Sequence, residues 1–141
     1  MEIIIHVETR KIDKNLQLAI EEYTKRTSPF CRVNIKLYKT LDKINFKTGS
    51  KVYNVTPGSQ SPSSEGLARL IEFNNLNGIS CIEFLIRNCN NCDKDQNKSQ
   101  NIEAESFNIS SFELSPDLTT VVLAEQIYRA YTIMNNITYH K

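Results

Sequence analysis

The stretch SPDLTTVVLAEQIYRAYTIMN, residues Ser115 to Asn135, decides how the rest of the chain is read. Ser115, Pro116 and Asp117 suit the N-cap, first and second positions of a helix. They supply a hydroxyl acceptor, a preset φ and an acid at the positive end of the helix dipole. From Leu118 onward apolar side chains fall on nearly every face, including Val121, Val122, Leu123, Ile127, Tyr128, Tyr131, Ile133 and Met134. A helix that is apolar nearly all round has to be covered on more than one side. The spacing therefore predicts a C-terminal helix lying against the protein's own sheet, with a partner subunit as candidate cover for the other side. Glu125 and Arg129, four apart with the acid first, share one face of it and are placed for an ion pair.

Working outward, 141 residues fit a single domain, 1–141, with room for a sizeable core. The chain is 40% hydrophobic and 23% charged, the composition of an ordinary globular protein. No apolar run approaches the roughly 20 residues that span a bilayer. The opening residues lack a basic n-region and a small-residue cleavage site, so a cytoplasmic protein is expected. A net charge of +1 argues against gripping nucleic acid by bulk electrostatics. It leaves room for local patches at Arg10, Lys11 and Lys14, at Lys25, Arg26 and Arg32, and at Arg129, His140 and Lys141.

The pattern from the N-terminus is strand and helix in alternation. Glu2 to Val7 reads as a buried strand, and Ile12, Leu16, Ala19, Ile20 and Tyr23 have helical spacing that ends at Ser28-Pro29. Cys31, Val33, Ile35 and Leu37 alternate as a second strand, followed by a polar loop or irregular turn over 39–50. Val52 to Val55 is a third strand. It breaks at Thr56-Pro57-Gly58, a loop at a strand's carboxyl end, where open α/β sheets place ligands. Ser61-Pro62 repeats the cap-then-proline pattern and predicts a helix with Leu67, Leu70 and Ile71 inward, closed by Asn77-Gly78. Ile79 to Ile86 is apolar enough for a central strand. Residues 87–100 are polar and aperiodic. Phe107, Ile109, Phe112 and Leu114 suggest a fifth strand with a bulge at Ser110-Ser111. This order predicts an α/β domain on a largely parallel sheet of five to six strands flanked by helices.

Several chemistries have little to draw on. The sequence contains no phosphate-binding glycine motif, no HExxH and no serine in a nucleophile-elbow context. Its two histidines are His6, expected to be a hydrogen-bonded strand residue, and His140 near the end. Cys31 and Cys81 fall in apolar strands and are expected to be buried. Cys89 and Cys92 form a lone CxxC without a second pair, so no metal site is expected, and coincidence is favoured over a redox dithiol.

With the element order in place, Val122-Leu-Ala-Glu-Gln-Ile-Tyr-Arg-Ala-Tyr131, Ile133-Met134 and Tyr139-His140-Lys141 closely resemble the C-terminal signature of the RlmH family. Pro62-Ser-Ser-Glu-Gly-Leu-Ala68 is similar to that family's segment after its third strand, and Glu21-Glu-Tyr-Thr-Lys-Arg26 to the end of its first helix. These are SPOUT-class methyltransferases that act on N3 of a pseudouridine in large-subunit ribosomal RNA. The resemblance implies a SPOUT-type trefoil-knotted domain working as a homodimer on ribosomal RNA or the assembled ribosome, with S-adenosylmethionine in the knot. Carried over by position, the cofactor residues are Val55, Arg87 and Asn88, and the segment Ile109, Ser110, Ser111, Phe112, Glu113 and Leu114. The implied catalytic residues are Glu125, Arg129, Tyr139, His140 and Lys141.

The sequence departs from the family where the donor is expected. The family carries a glycine pair after its fourth strand, whereas this chain has Arg87-Asn88. Ser115-Pro116 replaces a Pro-His pair, and the segment between the second and third strands is shorter. Glycine in such a turn permits positive φ and close backbone approach to a ligand. The alternative to an active enzyme is therefore a dimeric binding protein that keeps the fold and has lost donor binding. For Glu125 and Arg129 the plain alternative is an ordinary helix ion pair, and for the Tyr-His-Lys end a frayed terminus.

Overall fold

The computed structural model describes residues 1–88 and 104–139. The elements run β1 (Glu2–Glu8), α1 (Lys14–Thr27), β2 (Arg32–Tyr38), a short 3-10 turn (Leu41–Lys43), β3 (Lys51–Val55), α2 (Ser64–Leu76), β4 (Cys81–Ile86), β5 (Glu105–Phe107) and α3 (Pro116–Met134). The strands form one sheet in the order β2-β1-β4-β3-β5. Every pairing is parallel. The expected α/β class and the central position of β4 both hold.

Register decides where a ligand can sit. Glu8 pairs with Tyr38, Val7 with Ile86, and Val55 with both Ile86 and Phe107. All five strands therefore end along one edge, and the loops leaving that edge form its rim. Ligands of open parallel sheets bind at this carboxyl edge.

The two sheet faces carry different chemistry because side chains alternate along each strand. Ile3, Ile5, Val7, Ile82, Phe84 and Ile86 point to one face and pack with Leu67 and Ile71 of α2 and Leu123 and Ile127 of α3. The other face holds His6 and Glu83, which are 2.9 Å apart and both buried. Tyr38 bonds the far nitrogen of His6 at 2.9 Å, while the backbone N–H of Lys47 and the hydroxyl of Ser50 donate to the second Glu83 oxygen. His6 is thus a fully partnered strand residue, and its network pins the 39–50 loop to the sheet. Leu41, Ile44 and Phe46 close that loop over Val52 and Leu85. Burial outweighs the nearby carboxylate and holds the His6 imidazole below its ordinary pKa. Cys31 and Cys81 are buried, as their strand settings imply.

Helix α3 starts as its sequence predicts, with Ser115 as N-cap and Pro116 in the first turn. It packs against α1, α2, β1 and β4, so much of its all-round apolar surface is covered within the chain. Two expectations are corrected. Ser61-Pro62 does not open α2: Ser63 is the N-cap, accepting the N–H of Gly66 at 3.0 Å. The Ser61 hydroxyl instead donates to the carbonyl of Ile109 at 2.9 Å. The fifth strand also stops at Phe107 instead of running on to Leu114. Beyond it the backbone finds loop partners, since the Ser110 carbonyl accepts from Gly58 and the Ser110 hydroxyl from the Phe112 N–H. With those groups satisfied locally, no ladder continues, and Phe112 is left 76% exposed.

Candidate active site

The carboxyl edge holds a shallow cleft, with an enclosed space of about 30 Å³, at the ends of β3, β4 and β5. Of the positions expected to hold a cofactor, Val55, Arg87, Ile109, Ser110, Phe112, Glu113 and Leu114 line it. Asn88 and Ser111 are not among its walls. Thr56, Pro57, Ile86 and Thr119 complete it, and only the Thr56-Pro57 loop had a signal in sequence, its place after a strand. The walls are held by bonds between the loops. Thr56 N–H donates to the Phe107 carbonyl and Gly58 N–H to that of Ser110. The Asn108 amide donates to the Thr56 carbonyl at 2.9 Å and to its hydroxyl at 3.0 Å. A Cβ at residue 58 would stand 2.2 Å from the Asn108 side chain, so this close approach needs glycine.

The second half of the site is built on α3. Both Nε and Nη2 of Arg129 donate to Glu125 Oε1, at 3.0 and 2.7 Å. Gln126 donates to Glu125 Oε2 at 2.8 Å. After the helix, Asn136 takes a left-handed φ of 55°. Ile137 N–H then returns to the Thr132 carbonyl and Asn136 N–H to that of Ile133, the paired bonds of a Schellman cap. This reversal carries Tyr139 back along the helix, where its hydroxyl donates to Glu125 Oε1 at 3.1 Å. Its ring meets Tyr128 edge-on at 4.8 Å and lies under the Arg129 guanidinium at 5.1 Å. The end of the chain is docked as far as Tyr139. His140 and Lys141, like Cys89 and Cys92, lie outside the described residues.

The electrostatics follow from this packing. Glu125 holds the Arg129 guanidinium above its ordinary pKa, a fixed cation at any working pH. Burial first, then hydrogen bonds with Tyr23 and Glu125, push the Tyr139 phenol up to about 12. Tyr139 is therefore protonated and a donor near neutrality. Among the described residues Glu125 accepts four bonds, three at Oε1 and one at Oε2, which orients Arg129 firmly.

The model of a family described as "Predicted SPOUT methyltransferase" matches residues 1–140. The chain belongs to the SPOUT methyltransferase family. It is similar to "Ribosomal RNA large subunit methyltransferase H 1" of Thermoanaerobacter sp. (strain X514), 34% identical over 140 residues and 97% of each chain. "Ribosomal RNA large subunit methyltransferase H" of Clostridium novyi is 34% identical over 150 residues, and that of Fusobacterium nucleatum 31% over 146, each covering 92% of both chains.

Within this SPOUT methyltransferase, the replaced glycine pair has a local explanation. Neither Arg87 nor Asn88 has a positive φ, so neither position needs glycine's conformational freedom. The Asn88 N–H donates to Glu8 Oε1 at 3.1 Å, and the other oxygen of Glu8 accepts the Leu41 N–H at 3.1 Å. Glu8 is only 7% exposed. A buried carboxylate at the end of β1 thus ties together the 3-10 turn and the segment leaving β4. Sequence reading missed Glu8 because its partners lie 33 and 80 residues away.

The lining chemistry of the cleft suits the methyl donor of the family, S-adenosylmethionine. Its enclosed space, about 30 Å³, is that of a single water and far below the ~300–1,000 Å³ of small-ligand sites, so the walls must part to admit the donor. Val55, Ile86, Ile109 and Leu114 supply apolar walls for a nucleoside, while Arg87 and Glu113 put opposite charges at the rim for a zwitterionic amino-acid end.

Proposed function

We propose that this chain is a single-domain SPOUT methyltransferase, 1–141, that methylates N3 of a pseudouridine in large-subunit ribosomal RNA. In this reading it is a homodimer, with α3 tucked through a trefoil knot, acting on the assembled subunit in the cytoplasm. The observation that carries it is the convergence of seven of nine cofactor positions, drawn from three separate segments, on one cleft at the carboxyl edge. The printed activity of relatives that match along nearly the whole chain supplies the substrate class.

S-adenosylmethionine supplies a methyl group on a sulfonium sulfur, already electrophilic. The protein's tasks are then to align donor and acceptor and to favour loss of the acceptor's N–H proton. Val55, Ile109 and Leu114 hold the nucleoside end, and Arg87 takes the carboxylate. Arg129, fixed by Glu125, stabilises the negative charge left on the acceptor as its proton departs. Tyr139 donates a hydrogen bond and shields the ion pair from water. His140 accepts the proton and Lys141 adds a second cation, both roles resting on the resemblance of the Tyr139-His140-Lys141 ending. Leu118 at 39% exposure, with the partly exposed Val121, provides apolar surface for a second subunit. A binding protein without donor affinity is not favoured, because relatives named as methyltransferases match along nearly the whole chain.

Calorimetry with S-adenosylmethionine, paired with methyl incorporation into large ribosomal subunits, tests this. Micromolar binding with transfer to a single pseudouridine is expected. Silence up to millimolar donor sinks the reading, and a monomer at micromolar protein sinks its dimeric part.

A further inference from the structure

A second concave space lies beside the donor cleft: a half-open cavity of about 260 Å³ between the start of α2, the end of β5 and α3. None of the site roles discussed above involves its polar wall. Two features place it in the reaction path. It shares Ile109 with the donor cleft, so the two spaces meet at one side chain. It also reaches the α3 cluster, because the Ser64 hydroxyl in its wall donates to Gln126 Oε1 at 2.7 Å, and Gln126 donates on to Glu125 at 2.8 Å. Methyl transfer requires the acceptor to touch both the donor and the groups that handle its proton. A space bordered by both is where the acceptor belongs.

The wall chemistry selects the kind of acceptor. Ser61, Ser64 and Gln126 offer hydroxyl and amide groups, while Phe107, Ile109 and Val122 offer apolar surface. Among the described residues no charged side chain lines the cavity, which disfavours a phosphate and favours a neutral heterocycle with its own donors and acceptors. Enzymes that modify a base take it out of its stack into such a pocket. We infer that this cavity is the acceptor subsite and holds the extruded pyrimidine base, with Ser64 and Gln126 contacting its polar edge. The inference rests on the proposed RNA methylation and adds the site and residues for the base.

The test fills the cavity without touching Glu125, Gln126 or the cleft. Val122→Trp is expected to bind S-adenosylhomocysteine as wild type does. Its methylation of large subunits should fall about 100-fold, the scale of a displaced reactant. Ser64→Ala, a milder change kept for the case that Val122→Trp does not fold, is expected to raise the KM for the subunit about 10-fold, the loss of one hydrogen bond. Normal methylation by a folded Val122→Trp, or by Ser64→Ala alone if the first fails to fold, overturns the inference. So does a parallel loss of S-adenosylhomocysteine affinity, which assigns the cavity to the donor, or a change of oligomeric state, which assigns it to a subunit interface. A wild-type protein inactive on large subunits brings down the proposed function and this inference together. Active wild type with active variants brings down the inference alone.

Discussion

The two halves of the site are built in opposite ways. The Glu125–Arg129–Tyr139 cluster comes from one helix and the turn that follows it, its mutual bonds at most 14 residues apart, with Tyr23 of α1 as the distant partner of Tyr139. The donor cleft comes from the ends of three strands, and its supporting bonds span from 33 to 80 residues. The cluster depends on helix geometry and one cap. The cleft depends on the sheet register and on buried polar ties such as Glu8. Damage to one half should therefore leave the other working.

Arg129→Ala gives the largest separation. Methyl transfer should drop by about 100-fold or more, typical for loss of a group that stabilises developing charge, while donor affinity stays unchanged. Equal losses in kcat and in donor binding would show that the two halves are one unit. Glu8→Ala breaks the other side: it strands two backbone N–H groups, at about 1–3 kcal/mol each. Donor affinity should weaken roughly 10-fold by the same energetics, with kcat at saturating donor little changed. Unaltered calorimetric affinity and an unaltered Tm would remove Glu8 from the account of the cleft.

Asn136 sharpens the comparison at smaller amplitude. Asn136→Val forces a β-branched side chain into a left-handed backbone at a cost of about 1–2 kcal/mol, whereas Asn136→Gly should be neutral or mildly stabilising. The Val variant should also release Tyr139, seen as a loss of activity beyond its fall in Tm. Tyr139 itself gives the smallest effect, a spectroscopic one. Its folded pKa is raised from 10.0 to about 12. Its contribution to stability is thus present below pH ~10 and lost as pH rises through about 12. Ultraviolet titration should show several late phenols, because burial also raises Tyr131, Tyr53 and Tyr38, and one fewer of them in Tyr139→Phe. A normal titration of Tyr139 near pH 10 would mean that the tail does not dock.

The same contrast explains what could be read without coordinates. Helix α3, its Ser115 cap and the Glu125–Arg129 pair follow from spacing along one element, where 3.6 residues per turn fixes neighbours. The strand at Cys81–Ile86 was legible as central because buried parallel strands are apolar throughout. The segment from Ile109 to Leu114 misled: its alternation resembles a strand, but Gly58 and Ser61 take up its backbone groups across the loop. Ser61-Pro62 misled for a related reason, since Ser61 serves Ile109 and the cap falls to Ser63. The lost glycines suggested a blocked donor site. The backbone at Arg87 and Asn88 has ordinary φ and an anchor in Glu8, so the chain leaves β4 there without needing glycine.

The sequence by itself determined the alternation of elements, the family, and the cluster on α3, because each depends on neighbours a few residues apart or on the order of segments along the chain. Only the tertiary structure decided which loops meet. Sheet order and register bring residues 8, 41 and 88 together and set Ile109 between two cavities. Contacts across 33 to 80 residues leave no periodic trace in a single chain, because the free energy that selects them is shared over the whole packed sheet.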